Sequence, residues 1–134
     1  MDVSPAHVLD HYPPTLKARL RAVRSLIFEL AQNDEEIGEI VESLKWGQLN
    51  FATYRPKSGT PLRIGANADT GTYSLYVSCS TKLIANFRDI HPDMFAYHGN
   101  REIRLCADTP LPEVELTLFI NAALLYYAKP PKFQ

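Results

Sequence analysis

Between Leu49 and Cys79 the chain alternates apolar and polar residues in three runs separated by gaps of turn length, and no other feature restricts its fold as much. Leu49, Phe51 and Thr53 alternate with Asn50, Ala52 and Tyr54. After a loop marked by Pro56 and Ser58-Gly59, Leu62, Ile64 and Ala66 share one face of a run from about Pro61 to Ala68. Asp69-Thr70-Gly71 then has hairpin-turn composition, and Tyr73, Leu75, Val77 and Cys79 alternate with Ser74, Tyr76 and Ser78. A period of two puts successive side chains on opposite faces of a strand. Short connections join antiparallel neighbours, because a parallel crossover needs a dozen residues or more. One face of this sheet is therefore greasy and needs a cover.

The cover comes from helices. Ser4-Pro5 reads as an N-cap with proline at the first helical position, opening a short helix to about His11. Pro14 starts a longer one, whose Leu16, Leu20, Val23, Ile27 and Leu30 form one stripe. Lys17, Arg19, Arg21 and Arg24 lie off that stripe and are expected in solvent. Asn33, with Glu36 three residues later, reads as a capping box for a third helix that buries Ile37, Ile40, Val41 and Leu44. Thr81 to about Asp89 makes another helix, stopped by His91-Pro92. Segments 95–97 and 101–107 pair across His98-Gly99-Asn100. A last helix runs from Pro112 to about Ala128, ended by Lys129-Pro130-Pro131. The resulting class is α+β: an antiparallel sheet of about five strands with helices packed on one face.

A chain of 134 residues is expected to form a single domain, 1–134, and to bury enough surface to fold without disulfide or metal. The net charge of −1 gives no global attraction to nucleic acid or an anionic membrane. The basic stripe on the long helix lacks interleaved aromatics, so no nucleic-acid partner is expected. No apolar run reaches the roughly 20 residues of a membrane span, and the first residues lack the pattern of a secretory signal. Two cysteines are too few for a secreted scaffold, so the expected location is cytoplasmic.

Several segments together resemble a known family. They are Tyr12-Pro13-Pro14 ahead of the long helix, the LRAVRSLIFE helix itself, Lys45-Trp46-Gly47 leading into Phe51, the 73–77 and 101–107 strands, and the closing helix. The chain resembles the YdhG-like family of small bacterial proteins, mostly of unknown function, and the likeness covers nearly its whole length. The resemblance implies a sandwich of helices on a curved antiparallel sheet. One branch of the family is described as frataxin-like iron chaperones, which deliver iron for cluster and haem assembly. Here Gln48-Leu49 follows Trp46-Gly47 where the family usually has proline two residues on.

The matching positions are mostly core positions, so candidate sites must come from the residues themselves. The sheet face opposite the helices collects Asn50, Arg63, Tyr76 and Arg104. Arginine offers a planar fork of donors and tyrosine a flat apolar body with a polar tip, which suits a planar or anionic ligand. Trp46 at the strand approach either walls such a site or anchors the preceding helix in the core. The plainer reading of this face is a solvated sheet surface.

An acidic set, Glu35, Glu39 and Glu42, shares one face if its segment is helical, and clustered oxygens suit a hard cation. This is the sequence basis for an alternative iron-chaperone reading; the plainer one is a solvated helix start. No cofactor is evident, and iron is implied under that alternative alone. His7 and His11 are one helical turn apart but lack a third ligand. Cys79 is expected on the buried face and Cys106 on the open one, which argues against a disulfide or a shared metal.

No phosphate loop, nucleophile elbow or paired catalytic carboxylates stand out. The expected function is a small-ligand binding module built on the sheet face, without evident catalytic machinery. The last helix, apolar on several sides through residues such as Leu118, Leu125 and Tyr127, is either deeply buried or contributes to a homodimer.

Overall fold

The computed structural model describes residues 5–128. Ser4 and the Lys129-Pro130-Pro131 stop lie outside the described residues. A 3-10 helix over Pro5–His11 is followed by α1 (Pro14–Asn33), then strands β1 (Glu39–Lys45), β2 (Gln48–Tyr54), β3 (Leu62–Asn67) and β4 (Thr72–Tyr76). Helix α2 (Leu83–Ile90), strands β5 (Ala96–His98) and β6 (Glu102–Cys106), and helix α3 (Glu113–Leu124) complete the order. The strands form one antiparallel sheet in the order β1-β2-β3-β4-β6-β5. The α+β class and one-sided helical cover match the sequence reading; the sheet has six strands rather than five.

The additional strand is the segment expected to be a third helix. Apolar residues at 37, 40, 41 and 44 fit a helical stripe, yet 39–45 is extended and pairs residue for residue with β2. Three features explain this. Asp34 caps the end of α1 in an extended conformation, and its Oδ1 accepts the Glu36 N–H at 2.9 Å, an Asx turn instead of a capping box. Gly38 lies so close to β2 that a Cβ there would sit 1.9 Å from the Pro56 carbonyl oxygen, where no other residue fits. Trp46 and Gly47 both have positive φ, 55° and 76°, which is the two-residue type I′ turn that closes a hairpin. Cross-strand pairing overrides the helical periodicity. As a result Val41 and Leu44 are exposed rather than buried, and Trp46 is 90% exposed at the hairpin tip rather than a core anchor.

The core lies between the sheet and the helices. Leu16, Leu20, Val23 and Ile27 of α1 meet Phe51, Leu62, Ile64, Tyr73, Leu75 and Ile103 from the strands, all nearly inaccessible to water. Leu116, Phe119, Ile120 and Leu124 of α3 join them, with Phe119 edge-on to Phe87 of α2. The last helix is therefore buried on one side, while Val114 and Leu118 stay exposed on the other, and it ends at Leu124 instead of about Ala128. The loop after β2 clamps this end: the Ser58 hydroxyl donates to the Leu124 carbonyl at 2.8 Å and accepts the Gly38 N–H at 3.0 Å.

The basic residues of α1 are tied down rather than free in solvent. Lys17 and Arg21 reach Asp10 of the 3-10 helix, Arg19 donates to the Ala107 carbonyl, and Arg24 reaches Glu42 on β1. Cys79 is exposed, not buried, because β4 ends at Tyr76 and the chain turns through Ser78 and Ser80.

Candidate functional site

Register converts alternation into a site. On the open face one cross-strand row runs Ser43, Asn50, Arg63, Tyr76, Glu102 and His98, from β1 to β5. The row beside it contains Lys45 and Gln48 at one end, then Gly65, Ser74, Arg104 and Ala96. Strands lie about 4.8 Å apart, so residues adjacent in a row touch. Asn50, Arg63 and Tyr76 are consecutive members of one row, and Arg104 stands diagonally beyond Tyr76. Of the five residues expected to bind a ligand these four share a surface. Trp46 does not join them, since it projects from the hairpin tip past the Lys45–Gln48 pair.

The two arginines are in different electrostatic states. Arg104 donates from Nε to Glu102 Oε2 at 3.0 Å, and the same oxygen accepts the Ser74 hydroxyl at 2.7 Å. Burial pushes the Glu102 carboxyl up, but the hydrogen bonds from Arg104 and Ser74, with the charges of Arg104 and His98, outweigh it and hold the pKa below the usual carboxylate value. Arg104 is thus neutralised within the protein. Arg63 is not. It forms no ion pair with any described residue, and its Nε is buried without an acceptor. Its guanidinium carbon sits over the Tyr76 ring, 5.3 Å from the ring centre, a cation–π contact.

The floor around Arg63 is polar and close-packed. Asn50 is 6% exposed and Ser74 4% exposed, though both lie on the open side of the sheet. Longer neighbours shade them. Gln48 folds across Gly65, where a Cβ would come within 2.3 Å of its side-chain nitrogen. Gly65 is what lets this amide lie against the sheet. Alternation alone placed Ser74 and Glu102 on this face, but their bond to each other depends on the β4–β6 register, which the sequence does not show. Gln48 gave no signal beyond its position after the turn.

The acidic set is dispersed. Glu35 lies in the turn after α1, while Glu39 and Glu42 are on β1 at positions of opposite parity and so face opposite sides of the sheet. Glu42 is already bonded to both Nε and Nη2 of Arg24. The expectation that these carboxylates share one surface fails with the helix that was to carry them. Among the described residues no group of three or more His, Cys, Asp or Glu side chains could hold a metal ion. His7 packs edge-on to His11 and lies 3.4 Å from Asp10.

A cleft of about 350 Å³ opens between the 3-10 helix and α1, lined by His7, Leu9, Asp10, Arg21, Arg24 and Ser25 among others. Its charges are mutually satisfied. The hydrogen bond from Lys17 holds the Asp10 carboxyl below its ordinary pKa, helped by the charges of Lys17 and Arg21, and Arg24 is taken by Glu42. No helix among the described residues is long and apolar enough to cross a membrane.

No protein-family model matches this sequence, and no curated protein matches it significantly. Among solved structures the chain is similar to that of YdhG, a protein of the DUF1801 family from Bacillus subtilis. The TM-score is 0.69, with 19% sequence identity over 96% of this chain and 94% of that one. The likeness covers nearly the whole chain, so the chain has the YdhG-like fold. It carries no residue role from one protein to the other.

Proposed function

We propose that this protein with the YdhG-like fold is a small-ligand binding module, and that its site is the open sheet face centred on Arg63. The observation that carries the proposal is the state of that residue: a half-buried arginine over the Tyr76 ring, with no ion pair and no acceptor for its buried Nε. A buried donor without a partner is costly, and the nearest acid on this face, Glu102, is engaged by Ser74 and Arg104. A planar anion answers the unmatched charge, reaching the guanidinium through its Nη groups rather than the enclosed Nε. A carboxylate accepts two parallel hydrogen bonds from a guanidinium, and an attached ring extends over the apolar face of Tyr76. Asn50 beside Arg63 supplies polar contact, and the Arg104–Glu102 pair forms the far side of the site.

The iron-carrier reading has less to rest on, because the acidic residues it requires lie on different elements and faces. The proposal assigns no reaction to the site.

Benzoate serves as a probe of the planar-anion class, with benzamide as its neutral counterpart and inorganic phosphate as a non-planar anion. In an amide chemical-shift titration benzoate is expected to perturb Asn50, Arg63, Tyr76 and their neighbours, and benzamide to do so weakly. Arg63→Ala should abolish the response and Trp46→Ala should leave it. Shifts that survive Arg63→Ala, or that cluster in the cleft beside the 3-10 helix, would refute this placement.

A further inference from the structure

The two edges of the sheet differ. β5 is three residues long, and a short edge strand offers a second chain little to pair with. β1 is seven residues long, contains no proline and pairs with β2 without a bulge. Among the described residues nothing pairs with its outer edge. In a hairpin closed by a two-residue turn, the flanking pair Lys45–Gln48 is hydrogen-bonded, and bonded pairs then alternate along the ladder. Ile40, Glu42 and Leu44 therefore direct their N–H and C=O groups outward. Leu44 is 52% exposed and Val41 46% exposed, so the edge is also apolar.

We propose that β1 pairs with β1 of a second copy of this chain, antiparallel and centred on Glu42, joining two sheets into one. The sequence Glu39-Ile40-Val41-Glu42-Ser43-Leu44-Lys45 is self-complementary in that register. Glu39 stands opposite Lys45 of the partner, and Lys45 opposite Glu39, on the open face. Neither residue forms an ion pair within the described chain, so both charges are free to pair across the junction. Ile40 meets the partner's Leu44 on the helical side and covers it. The outward-directed residues of each strand face each other, so the main-chain groups of both edges are satisfied together. The two central Glu42 side chains would repel if bare, but each is held by Arg24 of its own chain at 2.6 and 2.9 Å. Shifting the register by one residue would set Glu39 against Trp46 or Leu44 of the partner and lose both charge pairs.

Sedimentation equilibrium on the full chain tests this. The wild type is expected to rise with concentration toward twice its 15.1 kDa mass. Lys45→Glu should raise the dimer dissociation constant about tenfold by placing like charges opposite each other twice, and Glu39→Lys with Lys45→Glu should restore it to within about twofold. Leu44→Pro removes an outward N–H that the hairpin does not use and should leave a monomer. If that variant fails to fold, the charge-swap pair carries the test alone. A wild type that stays monomeric at every concentration overturns the proposal. So does a dimer indifferent to Lys45→Glu, which would place the contact elsewhere, such as the exposed Val114–Leu118 side of α3, or a loss that the double swap does not rescue.

Discussion

Arg24 of α1 grips Glu42 of β1 with two parallel hydrogen bonds, Nε to Oε2 at 2.6 Å and Nη2 to Oε1 at 2.9 Å, joining the first long helix to the edge of the sheet. The Glu42 side chain is 9% exposed and that of Arg24 31%. The carboxylate raises the guanidinium's pKa, against the opposing effect of burial. The contact fixes which side of β1 faces the helices. It also consumes a carboxylate that a metal site would have needed.

A double-mutant cycle on Arg24→Ala and Glu42→Ala is expected to give a coupling of about 1–3 kcal/mol, above the value for exposed surface pairs, because the geometry is bidentate and the acid is shielded. Urea denaturation of the four proteins measures it. A coupling near zero would mean that the pair merely decorates the surface.

Glu102 predicts an acid-limb effect. Its folded-state pKa lies below the ordinary value, so the stabilisation it provides is complete above the unfolded carboxyl pKa. That stabilisation is lost as pH falls through the lower, folded pKa. The stability difference between wild type and Glu102→Gln should therefore be constant at neutral pH and shrink in acid. A difference that grows on acidification would reverse the sign and rule out this account.

Tyr73 is 1% exposed, and its hydroxyl has no hydrogen-bond partner. Tyr73→Phe removes a buried unsatisfied group without emptying volume, so it should be neutral or stabilising by up to about 1–2 kcal/mol at pH 7. Burial also raises the phenol's pKa, so the folded state favours the neutral form. That contribution is present below the unfolded phenol pKa and is lost as pH rises through the folded one. Thermal melts at neutral and alkaline pH should show the variant's advantage widening in base.

Trp46 occupies a left-handed backbone position with φ 55° while its side chain is 90% exposed. Trp46→Asn installs the Asn-Gly dipeptide favoured by type I′ turns and should stabilise by about 0.5–1 kcal/mol, raising Tm by a few degrees. A lowered Tm would show that the indole makes a stabilising contact after all.

Gly59 lies against the C-terminal end of α3, where a Cβ would come 2.4 Å from the Ala123 carbonyl oxygen and 2.5 Å from Leu124 Cα. Both neighbours are backbone and cannot rotate away. Gly59→Ala should cost about 2–3 kcal/mol or more, read as a shifted urea midpoint. A neutral result would mean that α3 is not clamped there.

Where one physical signal dominated, local pattern and final structure agree. The period-two runs at β2, β3 and β4 each have one buried face to satisfy, so slipping by one residue would expose Phe51, Leu62 or Leu75. α1 starts at its proline, and Leu16, Leu20, Val23 and Ile27 of its stripe are buried, with Leu26 added and Leu30 only partly covered. The segment 39–45 shows the opposite case. Its apolar residues fit a helix as well as a strand, and the decision came from Gly38 pressed on the Pro56 carbonyl and from a turn that folds β1 back on β2. The Gly38–Pro56 approach is distant in sequence, and the Trp46-Gly47 turn, though local, lacks the Asn-Gly composition that marks such turns.

The sequence by itself determined that helices would cover one side of an antiparallel sheet, and that Asn50, Arg63, Tyr76 and Arg104 would lie on the other, because side-chain parity along a strand follows directly from backbone geometry. Only the tertiary structure decided that Arg104 is spent on Glu102 while Arg63 keeps an unmatched charge over Tyr76, and that β1 exists as an open edge. Those outcomes depend on which strands become neighbours and in what register. That is settled by the combined packing of all the elements, and no single segment encodes it.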